Sequence, residues 1–298
     1  MKLARHSTQS GLSLVELMIA MLLGLLLIGG VLQIFLSSKQ TFSSNTALSR
    51  VQENGRFAMT FLTYDLRNAG YKGECVSVLN NLTNLTDARY TLDMALQGWE
   101  SGQSIPNWFS GARRSGTDAI LIKHAAAASG ATPSAASASD SISTTAATGI
   151  AQGTLLVLSD PIGCDMFRNN SGASSSAVSV DGASFGHTYP TTSDILKFES
   201  TLYFINNNSA GNPSLYRIRY NSGSTAEEVA EGIQDLQIKY AVGNVNGAIS
   251  GDYVDASSIS DWSKVVSAQV TLTAVSTDSA NPITRIFTST IGLRNRLP

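Results

Sequence analysis

The chain has 298 residues, 43% of them hydrophobic and only 14% charged, with 20 basic against 22 acidic side chains. That length allows one large or two small domains. A net charge of −2 supplies no basic field to hold nucleic acid nonspecifically, and two cysteines with three histidines make no zinc pattern of the CxxC or HExxH kind.

The first eleven residues, MKLARHSTQSG, carry Lys2 and Arg5 and no acid. By the positive-inside rule this end stays cytoplasmic and the bulk of the chain lies beyond the membrane. Residues 12–36 are then almost wholly apolar. A helix needs roughly 20 such residues to cross a bilayer, and this run extends about 37 Å at about 1.5 Å per residue. One carboxylate, Glu16, sits inside it, five residues past Gly11. Placing an ionised carboxylate in lipid costs at least about 2.5 kcal/mol, so Glu16 is a functional residue that needs a partner. The alternative is an ordinary anchor whose Glu16 snorkels into the headgroups. The processing signal, Ser10-Gly11, lies before the apolar run, whereas a secretory signal peptide has its cleavage site after it. Cleavage there keeps the helix on the mature chain and leaves 18 basic against 22 acidic residues.

Beyond the apolar run, Val51, Ala58, Phe61, Leu62, Leu66 and Ala69 recur at helical spacing, with Arg50, Glu53, Arg56, Asp65 and Arg67 largely between them. This predicts an amphipathic continuation over 37–70, one face against a globular body, stopped near Gly70. Gly24, Gly29 and Gly30 interrupt the apolar half, either as a hinge or as small-residue contacts between membrane helices.

From Cys75 the period changes from 3.6 to 2, and strands are predicted at 119–123, 155–159, 195–205, 215–220, 233–242, 265–275 and 285–293. Tyr216, Ile218 and Tyr220 alternate with Arg217 and Arg219. Leu236, Ile238, Tyr240 and Val242 repeat the pattern, as half-buried antiparallel strands do. The turn-rich NNNSAGNP at 206–213 joins two strands as a hairpin. Two stretches rich in Ala, Ser, Thr and Gly, 125–154 and 169–194, lack apolar residues large enough to bury and are expected as long mobile surface loops. The expectation is an α+β chain: a long N-terminal helix packed on an antiparallel β-rich head spanning 71–298.

Cys75 and Cys164 both fall on the outer side, where oxidation persists, and are expected to form a disulfide; two separately buried thiols are the alternative. There is no Walker loop or GxGxxG. His124 and His187 read as exposed or hydrogen-bonded bystanders. The segment NVNGAISGDYVD at 244–255 faintly suggests a calcium loop but lacks the carboxylate density such a site needs. No catalytic residue, metal ligand or cofactor is therefore assigned, and the chain is expected to be no enzyme.

The run GLSLVELMIAMLLGLLLIGG resembles the prepilin signal of type IV pilins and type II secretion pseudopilins. Glycine stands before the cut, an apolar residue follows it, and glutamate comes five residues in. Leu12 takes the place where the family usually has phenylalanine, which leaves the identity of the N-terminal residue open. The segments RVQENGRFAMTFLTYDLRNAGYKGEC, SDPIGCDMF, EGIQDLQIKYAV and FTSTIGLRNR are similar to the PilW family of minor pilins. The resemblance implies cleavage after Gly11 by a prepilin peptidase and N-methylation of Leu12. It implies that Glu16 neutralises a neighbour's terminal amine in the filament core. It also implies a low-copy subunit that initiates pilus assembly with other minor pilins and the major pilin, at or near the tip, through inner-membrane assembly machinery. The implied location is the inner membrane, single-pass with a periplasmic head, and then the pilus; twitching and adhesion are the associated activities. A type II secretion pseudopilin, or a membrane-anchored periplasmic binding or adhesion module, remains an alternative.

Overall fold

A computed structural model describes residues 11, 13–83, 85–127, 131–221, 223–244, 248–277 and 282–296. The expected leader up to Ser10, and Leu12, lie outside the described residues. One helix, α1 (Leu14–Asn68), runs for 55 residues, about 82 Å at 1.5 Å per residue. It passes unbroken through Gly24, Gly29 and Gly30. A Cβ on any of the three would meet nothing within 4 Å, so no contact within the described chain requires a small residue there. No side chain is buried from residue 14 to 45. The buried stripe then begins: Ala47, Val51, Gly55, Ala58, Leu62 and Leu66, stepping by three and four around one face. Ala69 leaves the helical conformation and Gly70 follows at φ +77°, the left-handed turn that glycine adopts without Cβ strain.

The head contains strands β1 (Asn80–Asn81), β2 (Leu96–Trp99), β3 (Ala119–Ala127), β4 (Ser141–Ser143), β5 (Leu155–Ser159), β6 (Cys164–Arg168) and β7 (Ala177–Ser179). They are followed by β8 (Asp194–Asn207), β9 (Pro213–Arg219), β10 (Ala226–Glu231), β11 (Ile233–Val242), β12 (Val265–Val275) and β13 (Thr284–Gly292). The largest sheet runs β1-β6-β5-β8-β3-β2, with β9 and β10 attached through β8. Strand β8 is the organiser. One edge pairs with β3, and the other is shared between β5 at 194–197 and β9 at 201–207. A second sheet has the order β11-β12-β13, and β4 pairs with β7. These ladders are antiparallel except the two-residue β1–β6 pair, which is parallel.

Alternation explains the layering. Leu236, Ile238 and Tyr240 of β11 and Val270 and Leu272 of β12 face the α1 stripe, together with Ile120, Ile122, Tyr203 and Ile205 of the large sheet. The other face of β3 and β8, with Leu121, Leu202 and Phe204, is covered by Trp108 and Phe109 from the segment before β3. Strand β3 is therefore buried on both faces, which its continuous apolar run requires.

The expectation of bare, mobile loops at 125–154 and 169–194 is corrected. Strand β3 extends to Ala127, β4 lies in the first stretch and β7 in the second. Ile142, Ile150, Val178, Val180, Phe185 and Tyr189 join Leu156, Leu158 and Phe167 in a core of their own. These apolar residues are scattered singly through Ala/Ser-rich sequence. The β4–β7 pairing, with Ile142 opposite Val178, and backbone bonds such as Thr148 N–H to the Ser175 carbonyl and Phe185 N–H to the Ser139 carbonyl gather them across the two stretches.

Candidate functional site

The helix N-terminus holds the predicted site residues. Gly11 is exposed and Leu12 lies outside the described residues. Ser13 is the helix cap, extended at φ −69° and ψ 146°. Its Oγ accepts from the Glu16 N–H at 3.3 Å, and its carbonyl accepts from Leu17 N–H at 3.1 Å. Glu16 thus occupies the third helical position, where a carboxylate meets the positive end of the helix dipole. Sequence reasoning missed Ser13, although Ser-x-x-Glu before an apolar run is a capping signal. Around Glu16, Leu14, Val15, Leu17 and Met18 are 48–76% exposed. The result is a carboxylate within an apolar sleeve, and among the described residues it has no cationic partner.

Four contacts fix the other half of α1 to the head. The Tyr203 hydroxyl donates to Asp65 Oδ2 at 2.8 Å, and His124 Nε2 lies 3.6 Å from Asp65 Oδ1. Asn54 donates to the Glu231 carbonyl at 2.9 Å. Asn295 Nδ2 reaches the carbonyls of Asn68 and Ala69, each at 3.2 Å, which occupies acceptors that the helix end leaves open. Gly55 supplies room: a Cβ there would lie 2.1 Å from Cε2 of Phe287. Burial pulls the His124 imidazolium down, but Asp65, the Ala125 carbonyl and the nearby Glu199 charge outweigh it, so its pKa stands above the ordinary value. His124 is therefore a buried clamp residue. His187, half-buried, meets Asp160 Oδ2 at 2.9 Å.

Cys75 and Cys164 form a disulfide with Cα atoms 5.7 Å apart. It ties the segment leaving α1 to the β5–β6 hairpin, and the Cys75 N–H donates to Ser159 Oγ at 3.2 Å in the same place. Both half-cystines are buried among Leu79, Val157, Met166 and Phe198. The alternative of separate thiols is excluded. Among the described residues no group of three or more His, Cys, Asp or Glu is arranged to hold a metal. In the suspected calcium loop, residues 245–247 lie outside the described residues, and Asp255 faces Lys239 Nζ at 3.7 Å.

Two family models match this chain. The prokaryotic N-terminal methylation motif covers residues 6–32, and type IV pilus-assembly protein W, PilW, covers residues 202–285. No curated protein and no solved structure matches it. The first match spans Gly11, Leu12 and Glu16 with the exposed half of α1. The second runs from within β8 to the start of β13. The motif and the long apolar N-terminal helix fit a membrane-anchored pilin. With a methylation motif on its helix and a PilW match through the strands that carry its core, the chain is a PilW-like, prepilin-type protein related to the pilins of the type IV pilus.

Proposed function

We propose that the chain is a minor pilin: a low-abundance structural subunit that helps initiate pilus assembly and sits at or near the tip. It enters the inner membrane with its head in the periplasm. Prepilin peptidase cuts after Gly11, Leu12 supplies the methylated amine, and the assembly machinery draws the subunit into the pilus beside other minor pilins and the major pilin. Its role is architectural, with no catalytic step. One observation carries this reading most directly: α1 buries no side chain over residues 14–45, yet holds Glu16 in its first turn. Such a surface asks for other helices around it. In a water-poor bundle, Glu16 and a neighbour's amine attract far more strongly than in water, and pairing offsets the cost of burying either. The match to the pilus-assembly model over residues 202–285 favours the pilus over a secretion machine.

The test is intact mass and N-terminal sequencing of protein from membranes and from sheared surface filaments. The expected chain begins at Leu12, is heavier by one methyl group and occurs in trace amount in the filaments. A chain that keeps residues 1–11 and stays in the membrane overturns the reading in favour of an anchored binding module. Glu16→Ala should insert normally and fail to enter filaments. Deletion should abolish twitching and surface pili; loss of exoprotein secretion instead would assign the chain to the secretion machine.

A further inference from the structure

Strand β13 is an open edge. Among the described residues it pairs with β12 alone, over nine residues without a register shift, where a strand averages about five or six. The other edges are short, bulged or covered. Strands β1, β2, β4 and β7 have two to four residues, a bulge interrupts β10, and β11 is met at Leu236 by the Asp118 N–H and at Tyr240 by Val254. Leu293 N–H bonds the Val266 carbonyl and Ser276 N–H the Ile283 carbonyl, so the odd-numbered residues of β13 are the ones that bond to β12. Ile286, Thr288 and Thr290 therefore turn their backbone N–H and C=O groups away from the sheet. Natural edges of this length are blunted by bulges or prolines, and 284–292 contains neither.

A groove follows that edge. Two adjoining hollows of about 680 and 730 Å³ share Arg56 and Phe287. Their walls come from α1, β13 and Arg294, with nothing from β12 among the described residues, which places them on the open side of β13. The helix wall is one continuous flank, Glu53, Arg56, Thr60, Thr63 and Arg67, next to the buried stripe. Arg285 joins Arg56 in one hollow, and Arg294 joins Arg67 in the other, kept at the helix end by Asn295. Glu53 is the one carboxylate on these walls, and none of the four arginines has an ion-pair partner among the described residues. From Arg56 to Arg67 the helix rises about 16 Å, a distance that an extended strand covers in about five residues. Between them Met59, Phe287 and the 61% exposed Tyr64 leave apolar surface.

We propose that this groove docks an extended, acidic segment of another protein, which adds to β13 as the fourth strand of its sheet and sets a carboxylate against each pair of arginines. Both features ask for the same occupant, because a row of outward backbone groups is satisfied in register by another backbone, and unpaired arginines by carboxylates. A nucleic acid would leave the edge unpaired, and its phosphates would find cations only at the two ends of the groove. A second copy of this chain offers β10 as its acidic edge, but there Glu227 is held by Arg217 and Arg219, and Glu231 by Asn212. Docking of this kind involves the head alone and is the same whether or not the apolar helix enters a filament.

The experiment uses the full chain in detergent micelles and a fluorescent, end-capped peptide, EVTVTVE, followed by anisotropy. The controls are KVTVTVK, the acidic peptide methylated at every backbone nitrogen, and an oligothymidylate. The expected result is saturable binding of the acidic peptide, weakened by salt and absent for both control peptides, with slower hydrogen exchange over residues 284–292. Arg56→Gln with Arg67→Gln should weaken binding about tenfold at low salt, and neither substitution breaks an ion pair within the head. Thr288→Pro should weaken it at least as much, since proline removes an outward N–H and leaves every backbone bond to β12 in place. If that variant melts early, the arginine pair decides. Absence of saturable binding, equal binding of either control peptide, or an unchanged affinity with both arginines replaced overturns the proposal. Oligothymidylate that displaces the peptide and binds more tightly overturns it in favour of nucleic acid, and self-association of the chain that the peptide reverses overturns it in favour of a second copy.

Discussion

A Cβ at Gly98 would lie 2.1 Å from the hydroxyl of Tyr240 and 2.7 Å from its Cζ. Tyr240 is only 1% exposed and Trp262 packs edge-on against it, so the ring has nowhere to move. Gly98→Ala should therefore destabilise the head by about 1–3 kcal/mol through overpacking, measured as a melting temperature lower by several degrees. Gly55→Ala makes a similar clash on paper, but Phe287 is only partly buried and can swing outward. Alanine also improves helix propensity by roughly 0.8–1 kcal/mol, so this variant should be much the milder of the two. Neither glycine was legible as a packing residue, because a missing side chain leaves no periodic mark. Gly55 does fill the one gap in the helical stripe between Val51 and Ala58. Ser13 was legible in principle, through its spacing to Glu16, and was eclipsed by the stronger signal of the apolar run.

The elements that alternate or repeat cleanly were visible in advance. The helix stripe from Val51 to Leu66 emerges as expected, and so do β11 and β12, because each buries one face against a partner layer; β5 emerges instead as a short continuous apolar run buried on both faces. Strand β10 escaped notice. Its sequence AEEVAE has two apolar Ala and one Val amid acids, and it is held as a strand by Glu227 pairing with Arg217 and Arg219 on β9. That pairing depends on a neighbour and not on its own pattern. Asp65 was legible only as a polar residue beside the stripe, yet it joins α1 to β3 and β8 through His124 and Tyr203. Asp65→Ala should cost about 1.5–3 kcal/mol, as hydrogen bonds to a charged group do. Hydrogen exchange should quicken selectively over residues 47–68, where the helix meets the head. Uniform loosening of the whole head would contradict that clamp.

For the molecule as a whole, two carboxyl groups and one imidazole, all buried or partly buried, hold their proton more tightly in the folded state. Burial pushes Asp118 up to about 6, although the Ile238 and Ser101 amides bond to it. Burial raises Glu199 as well, and His124 is raised on balance by its partners. A raised folded pKa contributes stability that is complete below the unfolded value and lost as pH rises through the folded one. Melting temperature should therefore climb as pH falls through about 6, where Asp118 takes up its proton, and Asp118→Asn or His124→Gln should flatten the climb. Asp87, held down by Arg89, and Asp160, where His187 and two backbone amides outweigh burial, act with the opposite sign. Their contribution disappears only as pH falls through values below 3.8, so it leaves the neutral range untouched. Replacing both Cys75 and Cys164 by Ser should cost about 2–4 kcal/mol, detected in denaturant melts without reductant.

The position of Ala47 as the first buried residue of α1 has a consequence for how such a subunit travels. Because no part of the head leans on residues 14–45, moving the apolar part of that stretch, up to Leu36, from a bilayer into a filament would exchange one apolar surrounding for another and ask no refolding of the head. The work of extraction then depends on the solvation of a bare rod and its single carboxylate. The sheets beyond it ride along as rigid cargo.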